Sequence, residues 1–558
     1  MLTLFLLVAA PILLVAYLLK EAHYRRFRQY AVFPQLKPSL MWGHMKALHE
    51  ISLRGPPGQH FDDTILVIHE FLGRPPAFVI DLRPVSYPIL VVANHEVAEQ
   101  VSRVSSLFPW SVTKSPTNHV HDQLIGKDSM NTKEGEEWKV LRKKFNPGFA
   151  HQHLMTLLPL IMNKTWQFME HLDRYAKTGE EFPLGELLTN LTFDIIGVVS
   201  LDVDFGAQLD KTHQSEFIQV YQQLVAAFEG QDNPFPDPIG SFRRWRLSRD
   251  MDRLLTEMVK RKLSEHKRLD SKHKSRSVVA LASRNSETTT PDSLGLIVDQ
   301  VKSFIFAGHD TTSILLQWAF YQLSRNPRVL KAIRSELDDI FGPDPDPTVV
   351  RDKLLLGGDD VMARLVYTSA VIKETLRLNP PAGSARYSKP GTGFKLRMPG
   401  NNREIDADGL VLYMCQNLIQ RDPAVYGKTA DDFVPERWLG NTDTSMKTND
   451  ELAPGEKSGA KVPPSAWRPF ERGPRNCIGQ ELANIEARVI LACAVRRYDF
   501  TKVGLGELDL DANGHPKLNA KGAYEVKTKV YNTRQVTSRP IDKMMMRVQL
   551  NPKASSGI

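Results

Sequence analysis

The decapeptide Phe470-Glu471-Arg472-Gly473-Pro474-Arg475-Asn476-Cys477-Ile478-Gly479 sets one of only three cysteines in this 558-residue chain between glycines and beside an arginine. That setting suits a thiolate acting as a permanent metal ligand. Gly473 and Gly479 permit a tight turn and a close approach of backbone to a flat group. Arg475 can pair with a carboxylate, and backbone N–H groups beyond Cys477 can hydrogen-bond the sulfur and tune its donation. A helix opening at Ile478 would add the positive end of its dipole. A lone cysteine in a Gly/Pro loop is more often an inert buried residue. Its weight therefore depends on what else the chain carries.

Three further patterns could do chemistry. Ala307-Gly308-His309-Asp310-Thr311-Thr312 interrupts an apolar helical run from Val301 to Leu323. Glycine, aspartate and two threonines are locally unfavourable there. The hydroxyls can compete for backbone carbonyls, which predicts a distorted turn of the kind found at functional sites. Glu374-Thr375-Leu376-Arg377 puts opposite charges on one helix face, with Asn379-Pro380-Pro381 stopping the helix and Pro435-Glu436-Arg437-Trp438 further on. As exposed pairs such residues contribute only a few tenths of a kcal/mol. Glu136-Glu137-Trp138-Lys139-Val140-Leu141-Arg142 stacks Trp138 and Arg142 one helical turn apart. The pairs His119/His121 and His151/His153 have a spacing that can chelate a metal, but no acidic or cysteine cluster accompanies them.

Taken together, these motifs resemble the cytochrome P450 family in order and approximate spacing. Phe470, Gly473, Arg475, Cys477 and Gly479 match its haem-binding loop. The resemblance implies a mainly α fold with small β-sheets. It also implies haem b (iron protoporphyrin IX) as cofactor, with Cys477 as the axial ligand of the iron. Asp310 and Thr311 match the acid–alcohol pair that relays protons toward dioxygen, and Ala307 and Gly308 would leave room for oxygen and substrate. Glu374, Arg377 and Arg437 match a buried network bracing the proximal side of the haem. Trp138, Arg142, Arg475 and Arg386 would hold the propionates. Lys139, Lys143 and Lys144 would add a basic patch for an acidic redox partner.

No flavin or nicotinamide fingerprint appears, so electrons must come from another chain, expected to be NADPH–cytochrome P450 reductase, with cytochrome b5 as a further donor. A single glycine pair such as Gly357-Gly358 lacks the Lys-Ser/Thr of a P-loop, and no nucleic-acid partner is expected.

These motifs must be positioned by an otherwise ordinary globular chain, 42% hydrophobic and 24% charged. Length alone suggests about three or four domains; the resemblance implies one catalytic unit over 61–558, preceded by a connector at 29–60 rich in Pro, Gly and His. Three cysteines cannot make a disulfide framework, which suits a reducing compartment. A net charge of +8 fits a membrane surface or an acidic partner.

Residues 2–19 carry no charge, and as a helix they rise about 27 Å, close to a thin endoplasmic-reticulum bilayer. Insertion is favourable by about 4–7 kcal/mol, less the cost of Pro11. Lys20, Arg25, Arg26 and Arg28 follow at once. The expectation is a single-pass anchor over 1–28 with a cytosolic catalytic domain, because a cleaved signal would carry its basic flank before the apolar run. Beyond it, a strand is expected at 88–92, a helix at 94–105 capped by Asn94, and short strands in 392–414 and 522–550. The polar stretches 266–292 and 440–464 read as mobile.

The reaction expected from the resemblance is insertion of one oxygen atom into an apolar organic substrate. The wording around Trp138 and Asp310 resembles filamentous-fungal members, many of which oxidise polyketides and terpenes. A fatty-acid or alkane hydroxylase is the nearest competitor. A haem-thiolate isomerase or dehydratase would keep Cys477 without needing Asp310-Thr311, and a silent haem sensor would form no product. By analogy the pocket draws on Leu107 to Gln123, 217–245, Phe304, Phe306, Ala307, 382–386 and 533–538, with Phe108, Trp110, Phe304 and Phe306 favouring an apolar ligand.

Overall fold

The computed structural model describes residues 2–228, 237–268, 275–283, 290–400, 403–440, 462–533 and 537–552. Most of the expected mobile stretch 440–464, half of 266–292, and parts of the expected pocket segments 217–245 and 533–538 lie outside them. The fold is mainly helical with small sheets. Two compact units are distinguished. One comprises Met1–Pro116, Gly383–Gly427 and Val462–Asn476, the other Thr117–Ala382, Lys428–Lys461 and Cys477–Ile558.

In the first unit Ala77–Ile80 pairs antiparallel with Ile89–Val92, which runs parallel to Val411–Met414, itself antiparallel to Ser384–Tyr387. Alternate side chains sort cleanly between two cores. Phe78, Ile80 and Val91 meet Ile65 and Ile68 of the helix Phe61–Phe71. Val79, Leu90, Val92 and Leu412 meet Val97, Ala98 and Val101 of the helix His95–Ser102. A sheet buried on both faces explains why Ala77–Ile80 and Ile89–Val92 read as unbroken apolar runs rather than alternating ones. The helix His95–Ser102 starts where expected: Asn94 accepts at Oδ1 from the N–H groups of Glu96 (2.9 Å) and Val97 (3.2 Å). The stretch 29–60 is more than a connector, since Met45–Ser52 is helical.

The apolar segment near the start forms the helix Leu2–Phe27, with Pro11 inside it. Ile12 and Leu13 are 62% and 69% exposed, so protein does not cover its apolar surface there. Arg26, of the basic flank, is not simply a surface charge. It is buried, and its guanidinium lies 2.7 Å from Asp81, which also bonds Arg83. Burial would raise the Asp81 carboxyl, but Arg83 and Arg26 overcome it and hold the group below the usual range.

Asp63, on the helix Phe61–Phe71, is in the opposite situation: burial and then neighbouring Asp62 push its carboxyl up to about 6. A folded-state value above the unfolded one means stability present at low pH and lost as pH rises through about 6. Asp63→Asn should therefore raise the denaturation midpoint at pH 8, by at most about 3 kcal/mol, and change little at pH 4. Denaturant titrations at the two pH values check this, and equal shifts at both would contradict it.

The second unit is built on the helix Pro291–Arg325, 35 residues long. Thr290 caps it by accepting from Ser293 N–H, Pro291 occupies its first turn, and Asn326-Pro327 ends it. The helix Leu184–Leu201 packs along it. By length and composition that segment could cross a membrane, but 78% of it is buried in protein, as suits a core helix. The helices Val366–Leu378 and Gln480–Arg497 also pack on the long helix. A sheet of Phe182–Pro183, Met545–Leu550 and Tyr498–Lys502 completes the unit.

Candidate active site

The helix Pro291–Arg325 runs unbroken through Ala307–Thr312, so the predicted distorted turn does not form. Its polar groups are satisfied without breaking the ladder. Thr311 Oγ1 donates to Ala307 O (2.8 Å), and His309 Nδ1 donates to Ile305 O (2.7 Å). From the helix Leu184–Leu201, Thr192 Oγ1 donates to His309 O (2.7 Å). Gly308 serves helix packing rather than an open space. A Cβ there would come within 2.8 Å of Ile196 on the helix Leu184–Leu201, so glycine is what lets the two helices close.

One face of this buried helix is uncovered. Ala307 is exposed and Thr311 partly so, one turn apart, while His309, Asp310 and Thr312 are buried. Asp310 is turned away from that face. Its Oδ1 accepts from Arg539 Nη2 at 2.7 Å and its Oδ2 from the Thr537 hydroxyl. His309 is packed edge-on against Phe193 and Tyr221. Burial lowers its pKa against the upward pull of Asp310, which keeps the imidazole neutral. Sequence reasoning placed Thr537 only within the expected pocket segment 533–538 and missed Arg539 and both bonds to Asp310, because the partner is 227 or more residues away and neither residue belongs to a motif.

Cys477 is exposed, whereas Cys415 and Cys493 are buried. It stands three residues before the helix Gln480–Arg497, whose N-cap is Gly479, so the helix opens two residues later than expected at Ile478. A Cβ at Gly479 would meet only the Cys477 sulfur, at an ordinary van der Waals distance of 3.9 Å. From the helix Gly135–Phe145, Arg142 lies within electrostatic reach of that thiol: burial lowers its pKa and a Cys477 thiolate pulls it back up. Trp138, one turn earlier, is buried.

Glu374, Arg377 and Arg437 come together as expected. Glu374 and Arg377 are fully buried and bidentate, Arg377 Nε to Oε2 at 2.9 Å and Nη2 to Oε1 at 2.8 Å. Arg437 Nε adds 2.9 Å to Oε1. The remaining lone pairs of Glu374 accept from Val434 N–H and from the Trp438 indole N–H, each at 2.9 Å. Arg377 also donates to Ala430 O (2.5 Å) and Asp432 O (2.8 Å), tying the segment 429–438 to its helix. Trp438 was in view beside Arg437, and a tryptophan whose N–H must find an acceptor when buried was the available signal.

Glu486, nine residues beyond Cys477, had no such signal. It is buried on the helix Gln480–Arg497, where burial drives its carboxyl well above the usual range despite a hydrogen bond with Thr312.

In the first unit, Arg386 is buried on the strand Ser384–Tyr387, Arg475 is buried, and Phe470 packs edge-on to Trp467. Phe108 and Phe304 are packed against other aromatic rings. Phe108 is buried against Phe394, and Phe304 against Phe145 and Phe149. Phe306 is partly exposed. Of the histidine pairs, His119 bonds Asp122, His151 bonds Asp359 and His153 bonds Arg276 O.

The donor set fits a flat prosthetic group with a soft metal. An exposed thiol stands at a helix start beside a guanidinium, and a small uncovered stretch interrupts a buried apolar helix. The family model described as Cytochrome P450 matches residues 67–524. Cytochrome P450 monooxygenase acrF of Aspergillus aculeatus is 32% identical over 459 residues, covering 81% of this chain and 89% of that protein. Cytochrome P450 monooxygenase polC of Polytolypa hystricis is 29% identical over 530 residues, covering 91% and 89%. A bifunctional cytochrome P450/NADPH–P450 reductase of Gibberella moniliformis is 29% identical over 339 residues, 59% of this chain and 27% of that protein.

Proposed function

The chain belongs to the cytochrome P450 family and is a monooxygenase of that family, and from this we propose that it inserts one oxygen atom into an apolar polyketide or terpene of fungal secondary metabolism. The observation that carries the reading is the exposed Cys477 among otherwise buried cysteines, in a unit whose long helix leaves Ala307 and Thr311 uncovered. Haem, held by a thiolate that pushes electron density onto the iron, supplies activation of dioxygen when bound.

The chain's own residues do the rest. Cys477 would hold the iron through its sulfur, which lies 3.9 Å from where a side chain on Gly479 would begin. Trp138 and Arg142 would donate to one propionate, and Arg475 and Arg386 are assigned to propionates as well. The Glu374 network fixes the segment 429–438. Ala307 would leave space beside the bound group, and Thr311 Oγ1 would hold and pass a proton on the same helix face. Asp310 would resupply that proton, which requires its carboxylate to exchange Arg539 or Thr537 for water. An electron-donating reductase is the family's usual partner, and the fused relative makes NADPH–cytochrome P450 reductase the proposed one. The helix Leu2–Phe27 is proposed to anchor the chain in the endoplasmic-reticulum membrane, which would cover its exposed leucines.

Full-length protein loaded with haem and supplied with the reductase, NADPH and isotopically labelled dioxygen tests this. Over a polyketide and terpene panel, a ligand that shifts the Soret band should yield a product carrying one labelled oxygen. Product formed without NADPH would instead establish the isomerase or dehydratase class. Thr311→Ala should lower product formed per NADPH by about 10- to 100-fold while oxygen is still consumed. Unchanged coupling would remove Thr311 from the relay.

A further inference from the structure

Two arginines and two glutamates meet beneath the loop that leads to Cys477, and no step above uses them. Arg468 is fully buried. Its Nη1 donates to Glu99 Oε2 (2.8 Å), and its Nη2 to Ser102 Oγ (2.6 Å) and to the Glu471 carboxylate. Its backbone N–H donates to Gln420 Oε1 (2.8 Å). Glu471 Oε1 also accepts from the Ser102 hydroxyl (2.9 Å) and from Arg472 N–H (3.1 Å). Arg472 Nε closes the ring on Glu99 Oε2 at 2.9 Å. Two positive and two negative charges cancel inside the cluster.

The backbone is constrained at the same place. Glu471 has φ +56°, a left-handed conformation that a residue with a side chain rarely adopts. Gly473, at φ +75°, lies so close to Ser102 O that a Cβ would come within 2.1 Å. The end of the helix His95–Ser102 thus holds the loop through the Ser102 hydroxyl on Glu471, and its Ser102 carbonyl lies too close to Gly473 for any side chain there. An irregular loop has no ladder of its own to hold it, so this cluster sets its course. Burial would raise the Glu99 carboxyl, but Arg472 and Arg468 hold it below its ordinary value, so both acids are matched by cations.

We propose that Arg468, Glu471 and Glu99 are positioning residues for Cys477: through the Glu471–Gly473 turn they fix the direction in which the sulfur, six residues beyond Glu471, is presented to the haem iron. The proposal rests on the reading of Cys477 as that ligand. Without the cluster the turn relaxes, and the sulfur is lost as a thiolate ligand although the fold survives.

Full-length, haem-loaded wild type and the variants Glu471→Gln, Arg468→Met and Glu99→Gln are to be reduced under carbon monoxide. The lifetime of the red-shifted, thiolate-type Soret band is then followed. Glu471→Gln and Arg468→Met should shorten it by about tenfold or more, and Glu99→Gln, at a more exposed site, by two- to threefold. The double variant Arg468→Met/Glu471→Gln removes both charges together. It should recover the denaturation midpoint of the wild type yet keep the short-lived band, which a merely stabilising cluster would not do. Should Arg468→Met fail to fold, Glu99→Gln and the double variant carry the test. Wild-type lifetimes in the variants overturn this inference alone. A wild type without the red-shifted band overturns the ligand reading and the inference with it.

Discussion

Replacing Cys477 with serine is expected to abolish the red-shifted Soret band of the reduced carbon monoxide complex, and monooxygenase activity with it. The expectation is absolute because no other sulfur can stand in. Cys415 and Cys493 are buried, and burial pushes their thiols up, Cys493 to about 12 and Cys415 well above its ordinary value. Both stay protonated at neutral pH, and a protonated thiol is neither a nucleophile nor a good metal ligand. Cys477 is exposed and stands at the start of the helix Gln480–Arg497, with Arg142 in electrostatic reach. A serine alkoxide is far harder to form than a thiolate, so neither charge nor donor softness survives the change. The measurement is a reduced-minus-oxidised spectrum under carbon monoxide on matched haem content. Retention of the red-shifted band in Cys477→Ser would remove Cys477 as the ligand. Cys415→Ala and Cys493→Ala should keep it.

Glu374→Gln should cost about 3–5 kcal/mol of stability, the scale for removing one partner from a buried charge cluster. The structure gives the reason for placing it at the high end. Glu374 is fully buried and accepts from Arg377 twice, from Arg437, from Trp438 and from Val434 N–H. An amide keeps the shape but leaves two guanidinium groups without an anion, and its NH2 faces donors. Haem per polypeptide should fall sharply in Glu374→Gln, with a large drop in the denaturant midpoint. Lys521→Ala is the control. It breaks an ion pair with Asp432 whose lysine is 63% exposed, and it should cost about 1 kcal/mol or less. If the two variants behave alike, the buried network does not brace the fold.

The mutual arrangement of Glu374, Arg377 and Arg437 was legible because a short motif brings two of them together on one helix turn. Arg437 then needed only the resemblance. Cys477 was legible because glycines and an arginine in fixed spacing describe its surroundings directly. Asp310 was read correctly as a residue in a buried helix, but its partner was not. Thr537 and Arg539 lie on an irregular segment near the other end of the chain, and nothing local marks either of them. Gly308 was assigned to oxygen and substrate space by the resemblance. In the fold its missing side chain is taken up by Ile196, a residue of the helix Leu184–Leu201. The ring contacts of Phe108 with Phe394 and of Phe304 with Phe145 were equally out of view, because those partners lie far along the chain.

By itself the sequence determined the class of reaction and the mainly helical architecture, and it singled out Cys477 as the thiol proposed to bind the metal. Each is written in residues a few positions apart, where spacing along one turn or one loop already implies geometry. The tertiary structure alone decided which buried carboxylate carries a counter-ion and which has its pKa raised by burial beside a hydroxyl, as with Asp310 against Arg539 and Glu486 against Thr312. It alone also decided that the cysteine loop rests on a ring of Arg468, Glu471, Glu99 and Arg472. Such facts depend on charges meeting across hundreds of residues. Coulomb energy and desolvation are set by distance in space, and a single chain of letters records only distance along the backbone.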